Sequence, residues 1–237
     1  MQLEGSVAFI TGTNRGLGRA IVDELLKRGA RRVYAASRTG ATHPDERVVA
    51  LRMDVTDPEL VRAAAAAAAD VELLVNNAGS NTSYSVLQGD PATLRRDFDV
   101  NVHGTLDVTR ALVPALAAAR QAAVVNIISV LGLANLPADG GYSATKAALW
   151  SLTQALRAEL RARNIRVHGA FPGVIDTDMS RGFQMPKAAP EVVAAAVLDG
   201  VVAGHDDIAT DPMSADALET FARDPRELER RFASFGS

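Results

Sequence analysis

The stretch that most restricts how this chain can fold lies near its start, where an apolar run, a glycine-rich turn and a helical pattern follow one another directly. Val7-Ala-Phe-Ile10 has a β-branched residue at each end and reads as a buried strand. Thr11-Gly-Thr-Asn-Arg-Gly-Leu-Gly18 comes next, and Ala20, Ile21, Leu25 and Leu26 then recur at helical spacing. This order brings backbone N–H groups and the positive end of a helix onto a phosphate. Glycines are required because a side chain would hold the backbone away from a pyrophosphate. The spacing G-x-x-x-G-x-G differs from G-x-G-x-x-G, and no Gly-Lys-Ser/Thr follows as in a P-loop. A plain structural turn is the other reading. Gly12, Asn14, Arg15, Gly16 and Leu17 are the positions here that would face a ligand.

The same alternation continues along the chain. Further strands are expected at residues 32–36, 48–53, 71–75, 123–128, 166–171 and 207–210. Helices are expected at 57–69, from 90 to about 119, from 142 to about 163, at 191–203, and from Asp224-Pro225 onward. Residues 39–47 leave no room for a long crossover helix. The pattern predicts an α/β fold: one domain over 1–237, a doubly wound parallel sheet of the Rossmann type with about seven strands and helices on both faces. Residues 179–237 would form a substrate lid and C-terminal helices, the lid at 179–190 around Met179, Gly182, Phe183 and Met185. The terminal stripe Leu228, Phe232 and Phe235 reads as a docking face, on this subunit or on a partner.

Composition narrows the function classes. The 237 residues are 48% hydrophobic and 22% charged, and the net charge of -3 with no basic block argues against nucleic acid as a partner. Without cysteine there are no disulfides and no thiolate chemistry. His43, His103, His168 and His205 are scattered without metal-ligand spacing, so no metal site is expected. No apolar run approaches the roughly 18 residues of a membrane span, and the start lacks the n- and h-regions of a signal peptide. A soluble cytoplasmic protein is expected.

The strand ends carry the nucleotide signals. The second strand closes at Ser37-Arg38, where an NAD site usually has an acid for the ribose diol. A hydroxyl and a guanidinium suit a 2′-phosphate instead, and Arg15 could reach the same group; the alternative is that both arginines are solvated. NADP(H) is therefore favoured over NAD. Asp54-Val55 could meet an adenine amino group, or Asp54 could cap the next turn. Asn76-Asn-Ala-Gly79 supplies small residues for close approach beside the glycine turn, through Asn77, Ala78 and Gly79.

Chemistry centres on Tyr142-Ser-Ala-Thr-Lys146. Residues four apart share a helix face, so both side chains can enter one cleft. A free tyrosine ionises at about pH 10, and a neighbouring ammonium is expected to lower that value. Ser129 follows a strand thirteen residues upstream and would add a hydroxyl donor. The three together could polarise and protonate a carbonyl oxygen, although Tyr-x-x-x-Lys also occurs by chance on many helices. Asn101 lies in mid-helix, a poor position for it. It could open a helical turn and hold a water, or simply hydrogen-bond in the core.

Over residues 6–178 the chain resembles the short-chain dehydrogenase/reductase family. The resemblance rests on Thr11-Gly-x-x-x-Gly-x-Gly18, Asn76-Asn-Ala-Gly79, Asn101, Ser129, Tyr142-x-x-x-Lys146, and Pro172-Gly173 with Thr177. It implies a catalytic tetrad of Asn101, Ser129, Tyr142 and Lys146. Tyr142 would be the general acid/base, Ser129 would orient the substrate oxygen, Lys146 would tune the tyrosine and bind the nicotinamide ribose, and Asn101 would hold a relay water. Pro172, Gly173, Val174 and Thr177 would contact the nicotinamide end. The shortened 39–47 segment and the tail, which lacks the Asp-Gly-Gly ending of many members, depart from the family pattern. A homodimer or homotetramer is expected, with a dimer through the 91–119 and 143–163 helices first.

The expected activity is that of an NADPH-dependent carbonyl reductase, reversible as a secondary alcohol dehydrogenase, acting on a small, mostly apolar ketone or alcohol. A non-catalytic NADP-binding sensor is the alternative. Expected substrate contacts are Ser129, Leu131, Leu136, Tyr142, Phe183 and Met185, with Leu133, Val174 and Tyr84 as further walls; Arg181 could instead hold an acidic group, although a lid arginine is more often solvated.

Overall fold

The strands at the centre of the molecule are continuous apolar runs, not alternating ones, which is what a sheet covered on both faces requires. In the computed structural model, which describes residues 1–182 and 184–236, β1 (Val7–Thr11), β4 (Leu73–Asn76) and β5 (Ala122–Ile127) are buried along their whole length. They lie between β2 (Arg32–Ser37) and β3 (Val48–Arg52) on one side and β6 (Ile165–Ala170) and β7 (Asp207–Ile208) on the other. Among the described residues the sheet has seven strands, in the order β3-β2-β1-β4-β5-β6-β7, and all neighbours are parallel. The order reverses between β1 and β4, so a crevice opens at the carboxyl ends of that pair.

Period-two alternation divides the core. Ala8 and Ile10 of β1 face α1 (Gly16–Lys27) and α6 (Pro190–Ala203), which pack on one another. Val7 and Phe9 face the opposite layer: α2 (Pro58–Ala67), α4 (Thr105–Ala118) and α5 (Gly140–Leu160). Phe9, Ile10, Leu73 and Leu112 are fully buried, each contributing about 1.5–3 kcal/mol by leaving water. The second layer also holds a polar ladder. Asn76 Nδ2 donates to Asn126 Oδ1 and Thr109 Oγ1, and Asn126 Nδ2 donates to Thr153 Oγ1, all at 2.9 Å.

Asp-Pro pairs set most helix starts. Asp57, Asp90, Asp211 and Asp224 cap α2, α3 (Pro91–Phe98), α7 (Pro212–Arg223) and α8 (Pro225–Ala233), each with proline at the first helical position. Helix α7 was not expected from the sequence, although Asp211-Pro212 carries the same start signal as the other three. The single helix expected from 90 to about 119 is interrupted: α3 and α4 are joined by π-helical turns at Asp99–Gly104. Strand ends move by one or two residues, β5 closing at Ile127 before the reach of the expectation. The segment between β2 and β3 has no helix, as expected, and β3 is left half-exposed. Leu228 and Phe232 of the terminal stripe dock on this chain's own Ile128, Val130, Leu149 and Phe171, so the partner-docking reading does not apply to them.

Candidate active site

A cleft of about 1080 Å³ runs along the carboxyl edge of the sheet. All of the expected nucleotide positions border it: Gly12, Asn14, Arg15, Gly16, Leu17, Ser37, Arg38, Asp54, Val55, Asn77, Ala78, Gly79, Pro172, Gly173, Val174 and Thr177. So do Ser129, Leu131, Leu136, Tyr142, Lys146 and Met185.

The end expected to take the nucleotide is built mainly from backbone. Thr11 Oγ1 accepts the N–H groups of Asn77 and Ala78, both at 2.9 Å, and Asn77 Nδ2 donates to the Thr11 and Gly12 carbonyls at 2.9 and 3.1 Å. These bonds fasten the turn after β4 against the turn after β1. A Cβ on Gly18 would lie 2.2 Å from the Gly12 oxygen, and one on Gly12 would lie 2.9 Å from Ala78 Cα. Gly16 has φ +57°, the left-handed region that favours glycine, and Thr177 sits directly against it. Helix α1 differs from the Asp-capped helices: Arg15 at its N-cap makes no side-chain cap, and the first turn holds no acid. Its first N–H groups are open to an anion, and the residues present fit the diphosphate of a dinucleotide.

Two arginines behave differently. Arg38 is exposed and, among the described residues, has no acidic partner, so it is free to meet a phosphate. Arg15 is ion-paired with Asp178 at 2.7 Å, across the cleft, instead of turning toward Arg38. Arg181 also pairs with Asp178, which engages the group expected to hold an acidic substrate. Ser37 Oγ accepts the Ala41 N–H at 3.3 Å. Asp54 Oδ1 accepts from Thr56 N–H and Oγ1 at 3.0 and 2.8 Å, so it does cap its turn while also bordering the cleft.

At the other end, Ser129 follows β5 with extended backbone, and its Oγ accepts the Leu131 N–H at 3.1 Å, leaving its proton for another acceptor. Val130 N–H donates to the Pro172 carbonyl at 3.1 Å, which ties the exits of β5 and β6 together. Tyr142 and Lys146 lie one turn apart on α5 as expected. Lys146 Nζ donates to the Ile127 carbonyl at 2.8 Å and lies over the Tyr142 ring, 5.5 Å from its centroid.

That geometry overturns the expected lowering of the tyrosine pKa. Burial, reinforced by the charges of Asp139 and Asp97, pushes the Tyr142 phenol well above its ordinary value. Burial pushes the Lys146 ammonium down, to about 8. Lys146 loses its own charge before the raised phenol titrates, so it does not offset the desolvation of the phenolate.

Asn101 is fully buried and does not border the cleft. Its Nδ2 donates to the Ser80 carbonyl and to Thr145 Oγ1, both at 2.9 Å, and its Oδ1 accepts the Ser80 N–H at 2.8 Å. Both sequence readings are partly met: the helix does open at this residue, and the amide is spent on core hydrogen bonds. π-turns of this kind recur at functional sites. Leu133 and Tyr84 are buried away from the cleft, which corrects their assignment as walls. Phe183 lies outside the described residues.

Several cleft residues escaped the sequence reading. Phe232 and Phe235 bring the C-terminal tail to the cleft, and Asp139 lies beside Tyr142. Asp211, which caps α7, also accepts the Gly173 N–H at 2.9 Å and so anchors the turn after β6. Phe232 and Phe235 carry a docking-stripe signal in the sequence and Asp211-Pro212 a helix-start signal, but neither signal points to the cleft.

Residues 6–187 match the short chain dehydrogenase family. A short chain dehydrogenase of Burkholderia cenocepacia, solved in complex with NADP, superposes with a TM-score of 0.92 at 41% identity, covering 98% of this chain and 99% of that one. Galactitol 2-dehydrogenase (L-tagatose-forming) of Cereibacter sphaeroides is 37% identical over 190 residues, 76% of this chain and 75% of its own length. The 3-oxoacyl-(acyl-carrier-protein) reductase FabG of Salmonella typhimurium is 30% identical over 219 residues, 89% of each. With the glycine turn, the Asn-Asn-Ala-Gly turn and the Ser129, Tyr142 and Lys146 side chains gathered on one cleft, the chain belongs to the short-chain dehydrogenase family of oxidoreductases.

Proposed function

We propose that this oxidoreductase is an NADPH-dependent carbonyl reductase, reversible as a secondary alcohol dehydrogenase. The observation that carries the reading is one continuous cleft with an unpaired Arg38 at one end and Ser129, Tyr142 and Lys146 at the other. The NADP bound by the Burkholderia relative supports the choice of cofactor. A relative named as a reductase of an oxoacyl group and another named as a polyol dehydrogenase support the reaction type.

The nicotinamide would supply the hydride to the carbonyl carbon. Ser129 Oγ–H donates a hydrogen bond to the carbonyl oxygen, which draws charge onto it and orients the reacting carbon. Tyr142 O–H transfers its proton to that oxygen as the alcohol forms. Its raised pKa keeps it protonated across the neutral range, the form that donates in the reductive direction. Lys146 has a pKa of about 8 and remains charged in most molecules at pH 7, from where it can return a proton toward the phenolate. Asn101 supports this centre by holding Ser80 and Thr145, not by touching substrate.

The test is to follow NADPH absorbance with a panel of ketones. A reductase oxidises one NADPH for each alcohol formed. A sensor, the second reading, binds NADPH with no turnover on any ketone.

A further inference from the structure

Asp139 stands at the N-cap of α5, three residues before Tyr142. An aspartate there ordinarily accepts a first-turn N–H, as Asp57, Asp90, Asp211 and Asp224 do on their helices. Asp139 makes no such bond. The Gly141 N–H that it would be placed to serve donates instead to the Tyr84 carbonyl, at 3.2 Å. The residue is 2% exposed, and its Oδ1 is buried with no hydrogen-bond partner. Among the described residues no arginine, lysine or histidine pairs with it. It borders the cleft together with Ser129, Leu136 and Tyr142.

A carboxyl group removed from water without a donor is costly, and proteins keep such groups where something compensates. Among the described residues nothing does so here. The neighbouring acid Asp97 is equally buried, yet it accepts from Ser80 Oγ, Thr82 N–H and Thr82 Oγ1. The missing partner is therefore particular to Asp139, the acid on the reacting side.

Resting on the carbonyl-reductase reading, we propose that Asp139 recognises the substrate by accepting a hydrogen bond from an O–H or N–H donor on it. The preferred substrates are then ketones bearing a hydroxyl or amino group, in place of the mostly apolar ketone that the sequence suggests. Recognition would also reach the chemistry. The Asp139 charge is one reason the Tyr142 phenol is pushed up, so a donor that neutralises it eases proton release only when the right substrate is in place.

The experiment uses the full chain loaded with NADPH or NADP and three ketones of matched length: butanone, hydroxybutanone and aminobutanone. The readouts are kcat/KM from NADPH absorbance and, independently of turnover, affinity for the NADP-loaded protein from thermal shifts. The wild type should favour one donor-bearing ketone over butanone by about 10–100-fold, and which one identifies the donor as hydroxyl or ammonium. In Asp139→Leu the ratio should fall to near one. Asp139→Asn preserves the shape if the leucine variant does not fold, and should lose most of the ratio. It should also raise the melting midpoint by about 2–4 °C, because an uncompensated buried charge is removed. Equal treatment of all three ketones by the wild type, or a preference that survives both variants, overturns the proposal. A lowered midpoint in Asp139→Asn also overturns it, since the carboxyl would then be structural. Turnover with a ratio of one counts against Asp139 alone. A binding ratio with no turnover counts against the reductase reading alone.

Discussion

The two ends of the cleft are made of different materials. The nucleotide end is backbone: glycines with no room for a Cβ, carbonyls and N–H groups tied across the switch point by Thr11 and Asn77, and an uncapped helix start. The reacting end is side chains from separate elements: Ser129 after β5, Tyr142 and Lys146 on α5, Asp139 before it, Phe232 on α8. Backbone surfaces present a fixed set of donors and acceptors whatever the side chains. Side-chain surfaces carry reactivity and selectivity. They also carry a desolvation cost, since Lys146 and Asp139 are buried polar groups and, among the described residues, Asp139 Oδ1 has no hydrogen-bond partner.

Substitutions at each end should separate the two kinds of construction. The largest effect on stability is expected from Gly18→Ala, whose Cβ would meet the Gly12 oxygen and Asn77 Nδ2. Backbone must shift, so denaturant unfolding should show a loss of about 3 kcal/mol, with NADPH affinity reduced as well. At the reacting end the sign reverses. Lys146 is protonated in both folded and unfolded chains below its folded pKa of about 8, where the cost of burying the charge is complete. That cost disappears as pH rises through 10.5, the ordinary lysine value, where both states are neutral. Lys146→Met should therefore stabilise the protein at pH 7 by about 2 kcal/mol after the lost hydrogen bond to Ile127 is counted. The gain should shrink as pH rises between those two values, which urea titrations at several pH values would show.

Smaller effects refine the nucleotide end. Arg38→Asp should weaken NADPH about tenfold, roughly 1.4 kcal/mol, while leaving NADH little changed. Equal losses for both cofactors would remove Arg38 from the 2′-phosphate site. Asp178→Ala breaks a pair whose side chains are largely exposed, so stability should change by less than about 1 kcal/mol. If NADPH binds more tightly in that variant, Arg15 has been released to the phosphates.

The same division explains what could be read from the sequence. The sheet, the glycine turn, Asn77-Ala78-Gly79 and the Tyr142/Lys146 pair were legible because each is a local constraint on backbone or helix face. Helix α7 was legible in principle, since Asp211-Pro212 repeats the Asp57-Pro58 signal. The ionisation of Tyr142 differs from the expectation because it depends on burial and on Asp97, which only tertiary packing brings near, as well as on Asp139 three residues upstream. Arg15 was assigned by proximity in sequence, whereas its partner Asp178 lies 163 residues away. Leu133 and Tyr84 were placed by neighbourhood, and the chain turned them inward.

The central claim is that Tyr142 delivers the proton at the reacting end while the nucleotide end stands independently of it. Single-turnover measurement of NADPH oxidation by Tyr142→Phe, beside the NADPH dissociation constant of the same variant, tests it most directly. The account predicts a fall in rate of at least about a thousandfold, in the range expected for loss of a positioned acid, with the dissociation constant changed less than about threefold. A variant that oxidises NADPH at the wild-type rate, or one that fails to bind NADPH while remaining folded, would contradict it.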